Sequence, residues 1–255
     1  MNKAVILAGG FGSRLSEETA AIPKPLVQIG QYPILWHIMK IYSSFGVNEF
    51  IICLGYKGYK IKEFFSNYAR ANSSLQIDLS SGRVSALSEL RENWKIWLID
   101  TGESTMTGGR IKRVAEYLQK DQTFFLTYGD GLASIDILGS MDFHQKHGKI
   151  ATVTAAVPPG RFGVLDITGN NVTGFREKAD ADTYRVNAGF FVLNTDVFSL
   201  IKDDDSVFEV DVLEKLAEMG ELNAWLHNGF WMPMDTLRDK NKLNEFWSSG
   251  SAPWK

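Results

Sequence analysis

Short apolar runs alternate with segments of helical apolar spacing along the first part of the chain. The run over residues 4–8 ends at Gly9-Gly10, and the run over 50–54 follows an apolar stretch that starts at Pro33 and stops before Gly46. Continuous apolar runs of this length are typical of strands buried in a parallel sheet. Proline at a first helical position and glycine after the last one bracket a helix. The pattern therefore predicts a strand–helix–strand unit.

The same alternation continues to about residue 150. It predicts further helices over 61–68, 110–119 and 135–147, and further buried strands over 96–99 and 124–128. Repeated alternation of this kind predicts an α/β fold with a parallel sheet. The polar stretch 75–91 has no clear period, so a loop and a pair of weak strands both remain open there.

Beyond residue 150 the pattern changes to short strands separated by turn residues. Strand-like segments occupy 151–157, 163–167, 172–177 and 185–193, with Pro158-Pro159-Gly160 and Gly169-Asn170-Asn171 between them. Turn residues between short strands predict β-hairpins added to the parallel sheet in the second half. A helix over 207–219, a strand over 222–227 and a helix over 236–247 follow, and no linker divides the chain.

Composition and charge exclude several classes of protein. The chain has 255 residues, of which 44% are hydrophobic and 22% charged, as in ordinary globular proteins. With 27 basic and 30 acidic residues the net charge is -3, so nucleic acid is not an expected partner. Cys53 stands alone, which excludes an intrachain disulfide. No long apolar run or signal sequence occurs, so we expect a cytoplasmic protein with no membrane partner.

The segment after the first predicted strand has the composition of a phosphate-binding loop. It reads Leu7-Ala8-Gly9-Gly10-Phe11-Gly12-Ser13-Arg14. Its glycines let backbone N–H groups approach a phosphate, and Arg14 adds a positive charge. Leu15 stands where a dinucleotide-binding fingerprint has its third glycine, and no P-loop lysine follows. An NAD enzyme and a P-loop ATPase are therefore disfavoured, whereas a plain tight turn remains the alternative.

Three further residues are candidates for phosphate chemistry. Lys24 lies between Pro23 and Pro25, which hold it in a stiff segment, and a rigid cation stabilises charge that develops on phosphorus. Asp130 follows a predicted strand, and Asp235 precedes the last predicted helix. Magnesium takes one or two carboxylates together with substrate phosphates. The alternatives are a solvated lysine at position 24 and a helix N-cap at position 235.

The segment 102–113 is rich in glycine and hydroxyl residues. A helix starting at Arg110 would place Arg110, Lys112 and Arg113 in its first turns, where positive charge opposes the helix dipole. That misfit predicts an anion or a nucleotide base at the helix start, with a solvated loop as the alternative. His144 and His147 are three residues apart but lack further ligands, so a metal role for them is disfavoured.

Residues 7–15 together with Pro23-Lys24-Pro25 resemble the signature of the sugar-1-phosphate nucleotidyltransferases. Other segments resemble the members that use CTP and glucose 1-phosphate. These are residues 33–39, 55–59, 106–110, 128–131, 158–163, 189–193 and 234–240. The resemblance spans nearly the whole chain. It departs from the family pattern over 75–95, at Ala179 where proline is usual, and at Val207-Phe208-Glu209 where a tryptophan–glutamate pair is usual.

This resemblance implies a Rossmann-like, mixed but mainly parallel sheet flanked by helices. It implies one domain over 1–255, in which 1–150 mainly bind the nucleotide and 151–255 mainly bind the sugar phosphate. The expected reaction forms CDP-glucose and pyrophosphate from CTP and glucose 1-phosphate with Mg²⁺, for 3,6-dideoxyhexose and O-antigen synthesis. UTP, dTTP or GTP in place of CTP, a non-catalytic binding module, and a homo-oligomer remain open.

The resemblance also implies roles for individual residues. The expected catalytic residues are Arg14, Lys24, Asp130 and Asp235, the last two as ligands of Mg²⁺. The expected nucleotide contacts are Leu7, Ala8, Gly9, Gly10, Phe11, Gly12, Ser13, Arg14, Lys24, Thr105, Arg110 and Gly129. The expected sugar-phosphate contacts are Gly163, Glu177, Lys178 and Asn187. The ordinary alternative for Glu177-Lys178 and Asn187 is pairing across the surface of a hairpin.

Overall fold

The computed structural model describes residues 3–88, 92–118, 122–159, 164–168, 171–176 and 184–255. The strands are β1 (Lys3–Ala8), β2 (Gln28–Ile29), β3 (Tyr32–Pro33), β4 (Glu49–Leu54), β5 (Leu75–Asp78), β6 (Arg83–Ala86), β7 (Lys95–Asp100), β8 (Thr123–Tyr128), β9 (Gly131–Ala133), β10 (Ala151–Ala156), β11 (Val164–Thr168), β12 (Asn171–Arg176), β13 (Val186–Asn194), β14 (Leu222–His227) and β15 (Trp231–Pro233). The α-helices are α1 (Ser16–Thr19), α2 (Ile34–Ser44), α3 (Gly58–Ala71), α4 (Thr107–Arg113), α5 (Ile137–His147), α6 (Lys215–Glu218) and α7 (Leu237–Ser248). Short 3₁₀ turns cover Ser13–Leu15, Lys24–Leu26, Ala115–Leu118 and Thr195–Leu200, and a π-helical turn covers Phe208–Glu214.

A mixed, mainly parallel sheet runs through the molecule in the order β14-β10-β13-β8-β1-β4-β7. Strand β1 is parallel to β4 and β8, β4 to β7, and β10 to β14, whereas β13 is antiparallel to both of its neighbours. The predicted fold class is thus confirmed. The amino end of β13 consequently lies at the same edge as the carboxyl ends of β1 and β8. Strands from both parts of the chain share this sheet, although the division of roles between 1–150 and 151–255 stays a prediction.

Apolar side chains cover both faces of this sheet. Alternate residues of β1 enter different clusters, with Ile6 on one face and Val5 on the other, because successive strand residues point to opposite sides. Helix α2 supplies Ile38 to the first cluster, and α4 supplies Ile111 to the second. A sheet buried on both faces explains why its strands have continuous apolar runs.

Two regions that sequence patterns leave uncertain take defined forms. Residues 75–86 form the hairpin of β5 and β6, so the weak-strand alternative for this stretch is correct. In the second half, β11 and β12 pair as a hairpin outside the main sheet. Across the described ranges, no helix combines the length and apolar character that a membrane crossing requires.

Helix α4 begins at Thr107, three residues earlier than predicted. Arg110, Lys112 and Arg113 therefore lie in its last turn rather than its first. Positive charge is favourable at the carboxyl end of a helix, so the predicted conflict with the dipole is wrong. The charges of α4 therefore give no reason to expect an anion at the start of this helix.

Candidate active site

A cavity of about 670 Å³ opens where the carboxyl ends of β1 and β8 meet the amino end of β13. Open α/β sheets gather ligands at this edge. The cavity is lined by Leu7, Ala8, Gly9, Gly10, Phe11, Gly12, Ser13, Arg14, Lys24, Thr105, Arg110, Gly129, Asp130, Asn187 and Asp235, among others. These are all of the sequence-predicted site residues that the structure describes. Gly163, Glu177 and Lys178 lie outside the described residues.

The segment from Gly9 to Ala20, here called the glycine loop, carries Arg14 to the mouth of the cavity. Gly12 has a left-handed backbone with φ of 65°, and a Cβ atom there would lie 3.0 Å from Thr19 Cγ2 and 3.1 Å from Lys24 Cβ. The left-handed backbone therefore favours glycine, and a Cβ atom would be crowded against both neighbours. The 3₁₀ turn Ser13–Leu15 starts directly after it and directs Arg14 across the cavity.

Two cations and two carboxylates form a network on one wall of the cavity. Lys24 Nζ lies 2.6 Å from Asp130 Oδ2 and 2.8 Å from Asp235 Oδ1, and Arg14 Nη1 lies 2.7 Å from Asp235 Oδ2. The Lys24 side chain is 9% exposed, whereas that of Arg14 is 73% exposed. The four predicted catalytic residues are thus adjacent. Lys24 lies buried at the centre of the network, and Arg14 lies at its solvent-exposed edge.

The N-cap alternative for Asp235 is wrong. The N-cap of α7 is Thr236, whose hydroxyl accepts a hydrogen bond from Asp239 N at 3.2 Å. Asp239 Oδ2 in turn accepts from Thr236 N at 3.0 Å, which completes a capping box. Because capping is carried by the next residue, the carboxylate of Asp235 projects into the cavity.

The donor set fits a hard divalent cation. Asp130 and Asp235 each place a carboxylate oxygen within hydrogen-bonding distance of the same ammonium group, so one small cation can be reached from both. The described ranges contain no cluster of three histidine, cysteine, aspartate or glutamate ligands. Magnesium binds through one or two carboxylates and completes its shell with water and substrate phosphate. The pair is suited to a cation that arrives with a phosphorylated ligand.

Arg110 is buried and holds the carboxyl ends of three strands together. Its guanidinium donates to Leu54 O, Thr101 Oγ1 and Gly102 O through Nη1, and to Gly9 O and Glu103 O through Nη2. Burial lowers the pKa of this guanidinium. A Cβ atom at Gly9 would lie 2.3 Å from Arg110 Nη1, and one at Gly55 would lie 2.5 Å from it. Arg110 therefore fixes the start of the glycine loop, and its predicted contact with a nucleotide stays a prediction.

Glu209 is a cavity residue that sequence reasoning missed. The π-helical turn directs its carboxylate toward Tyr128, whose hydroxyl donates to it, and Thr107 Oγ1 donates to Glu209 Oε2 at 2.7 Å. Burial, followed by the charge of Glu209, raises the pKa of the Tyr128 hydroxyl. Asn187 Nδ2 lies 3.5 Å from the same hydroxyl. The one feature of the sequence that could have pointed to Glu209 is the departure from the family pattern at 207–209.

The paired histidines are structural. His144 Nδ1 and His147 Nε2 both lie within hydrogen-bonding distance of Thr152 Oγ1, at 2.9 and 2.7 Å. Burial lowers the pKa of both rings. Their nitrogens are engaged away from the cavity, and the prediction that they do not bind a metal stays a prediction.

The chain is similar to several known proteins. The family model described as nucleotidyl transferase matches residues 3–247. A glucose-1-phosphate cytidylyltransferase of Salmonella typhimurium is 55% identical over 253 residues, covering 99% of this chain and 98% of the relative. A probable glucose-1-phosphate cytidylyltransferase of Bacillus subtilis is 47% identical over 254 residues, covering 99% of each chain. The crystal structure of HddC from Yersinia pseudotuberculosis complexed with GMP-PN is 26% identical with a TM-score of 0.72, and the match covers 97% of this chain and 100% of HddC.

Proposed function

The chain belongs to the nucleotidyl transferase family, and from that premise we propose that it makes CDP-glucose and pyrophosphate from CTP and glucose 1-phosphate. The observation that carries this proposal is the 55% identity to a glucose-1-phosphate cytidylyltransferase over nearly the full length of both chains. The network of Arg14, Lys24, Asp130 and Asp235 supports it, because these groups suit a polyphosphate and a divalent cation.

The proposed reaction is an in-line displacement at phosphorus. A phosphate oxygen of glucose 1-phosphate forms a bond to the α-phosphorus of CTP, and the bond from that phosphorus to the bridging oxygen of the β-phosphate breaks. Pyrophosphate leaves with the electron pair of that bond. No protein nucleophile takes part, so the protein acts by positioning the two substrates and by neutralising charge.

The glycine loop and two cations take the triphosphate. Backbone N–H groups of Gly9 to Gly12 approach its oxygens, and Arg14, which is mostly exposed, closes over it. Lys24 stabilises the charge that gathers on the α-phosphate oxygens in the transition state. Its placement supports this role, since a buried and fixed ammonium requires little reorganisation when charge develops.

Asp130 and Asp235 would hold Mg²⁺. When bound, the cation supplies charge neutralisation at the phosphate oxygens. The two carboxylates are themselves held in place, Asp235 by Arg14 and both by Lys24. This arrangement keeps their oxygens turned into the cavity before any ligand arrives.

The sugar phosphate occupies the part of the cavity near β13. Asn187 lines it, and the resemblance assigns Gly163, Glu177 and Lys178 to the same function, with Lys178 as the partner of the sugar's phosphate. We place the product in 3,6-dideoxyhexose synthesis for surface polysaccharide such as O-antigen. This assignment of pathway rests on the family resemblance alone.

Pyrophosphate release from purified protein tests the proposal. Glucose 1-phosphate and Mg²⁺ are supplied with CTP, UTP, dTTP or GTP, with chelator and no-sugar controls. We expect release with CTP that chelator abolishes and that requires the sugar phosphate. Release with a different nucleotide alone would contradict the cytidylyl assignment. Nucleotide binding without any release would favour a binding module.

A further inference from the structure

The segment Gly55-Tyr56-Lys57-Gly58-Tyr59, here called the latch segment, touches the glycine loop without lining the main cavity. Tyr56 N donates to Gly9 O at 3.2 Å, and the Tyr56 ring packs on the Phe11 ring at a centroid distance of 5.2 Å. The ammonium of Lys57 makes a third contact farther along the loop. The latch segment therefore meets both the beginning and the end of the glycine loop.

Lys57 has an unusual backbone. With φ of 51° and ψ of 27° it is left-handed, and elsewhere in the described ranges positive φ occurs at glycine. A left-handed conformation is unfavourable for a residue with a Cβ atom, and such strain persists where surrounding contacts over-determine it. Glycine would satisfy the backbone better. The lysine side chain makes contacts that glycine could not make, with two main-chain oxygens and with the Tyr56 ring.

That contact is a cap on the carboxyl end of α1. Lys57 Nζ donates to Thr19 O at 3.0 Å and also to Ala20 O. The last carbonyl groups of a helix have no partner within it, and α1 is too short to order itself. A cation at this end satisfies the free carbonyls and opposes their partial negative charge.

Thr19 connects the cap to the phosphate-binding part of the loop. Its buried hydroxyl donates to Gly12 O at 3.1 Å and to Leu15 O at 3.0 Å. Gly12 in turn lies between Thr19 and Lys24. Lys57 therefore binds the main chain of the residue whose side chain is hydrogen-bonded to Gly12. Gly12 in turn directly precedes Ser13 and Arg14.

A second lysine fastens α1 at a different point. Lys240 Nζ, on α7, lies 2.6 Å from Glu18 Oε1 and so forms an ion pair with a side chain of α1. Lys57 differs because it donates to the main chain, at Thr19, the residue that contacts Gly12. Of these two fastenings, the one from Lys57 bears directly on the conformation of Gly12.

We propose that Lys57 is a positioning residue for nucleotide binding, which pre-orders the glycine loop by capping α1 from outside the cavity. The role rests on the proposed function, since the loop is taken to bind the triphosphate of CTP. A pre-ordered loop lowers the entropy that binding must remove. Lys57 therefore acts on the affinity for the nucleotide rather than on the chemical step.

The test compares Lys57→Met, Lys57→Gly and Lys57→Arg with wild type, and Lys60→Met is the matched control. Lys60 is three residues away and pairs with Glu63 on the surface of α3, so its replacement removes the same charge without touching the loop. We measure kcat and KM for CTP at saturating glucose 1-phosphate, the thermal midpoint, and the Kd of inorganic tripolyphosphate by calorimetry.

We expect Lys57→Met to raise KM for CTP and Kd for tripolyphosphate about tenfold, with kcat within about threefold of wild type. Lys57→Arg should restore much of the affinity. Lys57→Gly should lose affinity like Lys57→Met yet be at least as stable as it, because glycine relieves the left-handed backbone. This split separates the proposed role from a general loss of stability.

Unchanged affinity in Lys57→Met, or an equal loss in Lys60→Met, would overturn the proposal. So would an affinity that follows the thermal midpoint across the series. If wild type binds tripolyphosphate but releases no pyrophosphate with any nucleotide, the proposed function fails while the tripolyphosphate comparison still decides the role of Lys57. A wild-type protein that binds neither CTP nor tripolyphosphate would overturn both.

Discussion

The contact between Gly9 and Arg110 gives a stability prediction that a double-mutant cycle can test. The three atoms nearest to a Cβ at Gly9 all belong to the Arg110 side chain, at 2.3 to 2.9 Å. Gly9 is not left-handed, so Gly9→Ala introduces a steric conflict without a conformational one. The added methyl group can be accommodated only if the guanidinium leaves its acceptors.

The magnitude follows from the hydrogen bonds of Arg110. Four carbonyls accept from Arg110. Leu54 O keeps Thr101 as a donor and Gly9 O keeps Tyr56 N, and the bonds to the other two, Gly102 O and Glu103 O, are only part-buried. The stability lost in Arg110→Ala therefore comes mainly from charged hydrogen bonds, which contribute roughly 1.5–3 kcal/mol each. The net loss is smaller than their sum because the variant no longer has to bury a cation. We expect about 4 kcal/mol for Arg110→Ala and about 3 kcal/mol for Gly9→Ala.

The double variant should lose about 4 kcal/mol rather than the roughly 7 kcal/mol that independent effects would give. In a chain of this size 1 kcal/mol corresponds to roughly 2–4 °C in the melting temperature. Urea unfolding of the four proteins measures the cycle. Gly10→Ala is the matched control, because a Cβ there meets nothing within 4 Å, and it should be nearly neutral. Additive losses would show that Gly9 and Arg110 do not act on each other.

Two other predictions concern catalysis and pH. Lys24→Ala and Asp130→Ala should each lower turnover by about 10²–10³, with an unchanged circular dichroism spectrum, and near-normal turnover in either would refute its assigned role. Burial lowers the pKa of His37 from 6.5 to about 4. Since the unfolded chain then takes up a proton that the folded chain does not, stability should fall by about 3 kcal/mol as the pH drops from 6.5 toward 4. Urea unfolding at pH 5 and pH 7 measures this change. The free energy of unfolding should differ less between the two pH values for His37→Gln than for wild type, and an equal difference would show that His37 is not the cause.

Much of the fold is predictable because buried parallel strands leave a plain record in the sequence. The runs predicted over 4–8 and 50–54 correspond to β1 (Lys3–Ala8) and β4 (Glu49–Leu54), each one residue longer at its start. The beginning of α4 was missed for a physical reason. Its N-cap is Met106, which makes no side-chain cap, so no local residue marks the first turn.

The candidate site divides in a similar way. The glycine loop, Lys24 and Asp130 were found because their chemistry is written in neighbouring residues such as glycine and proline. The hydrogen bonds by which Arg110 joins three strand ends could not be predicted in this way. Their acceptors are mostly main-chain oxygens from distant segments, and every residue type has a carbonyl group. Glu209 depends on a π-helical turn, which has no sequence signature comparable to the helical period.

The place of β13 in the sheet also governs the order in which a growing chain can assemble. Strands β1, β4, β7 and β8 can pair as soon as they have been synthesised, but β10 is made next and has no open partner among them, because β13 lies between β8 and β10. The edge of β8 therefore stays uncovered on the nascent chain until Asn194 has emerged. An unpaired strand edge can pair with the edge of another molecule, so the nascent chain exposes such an edge throughout the translation of residues 129–194.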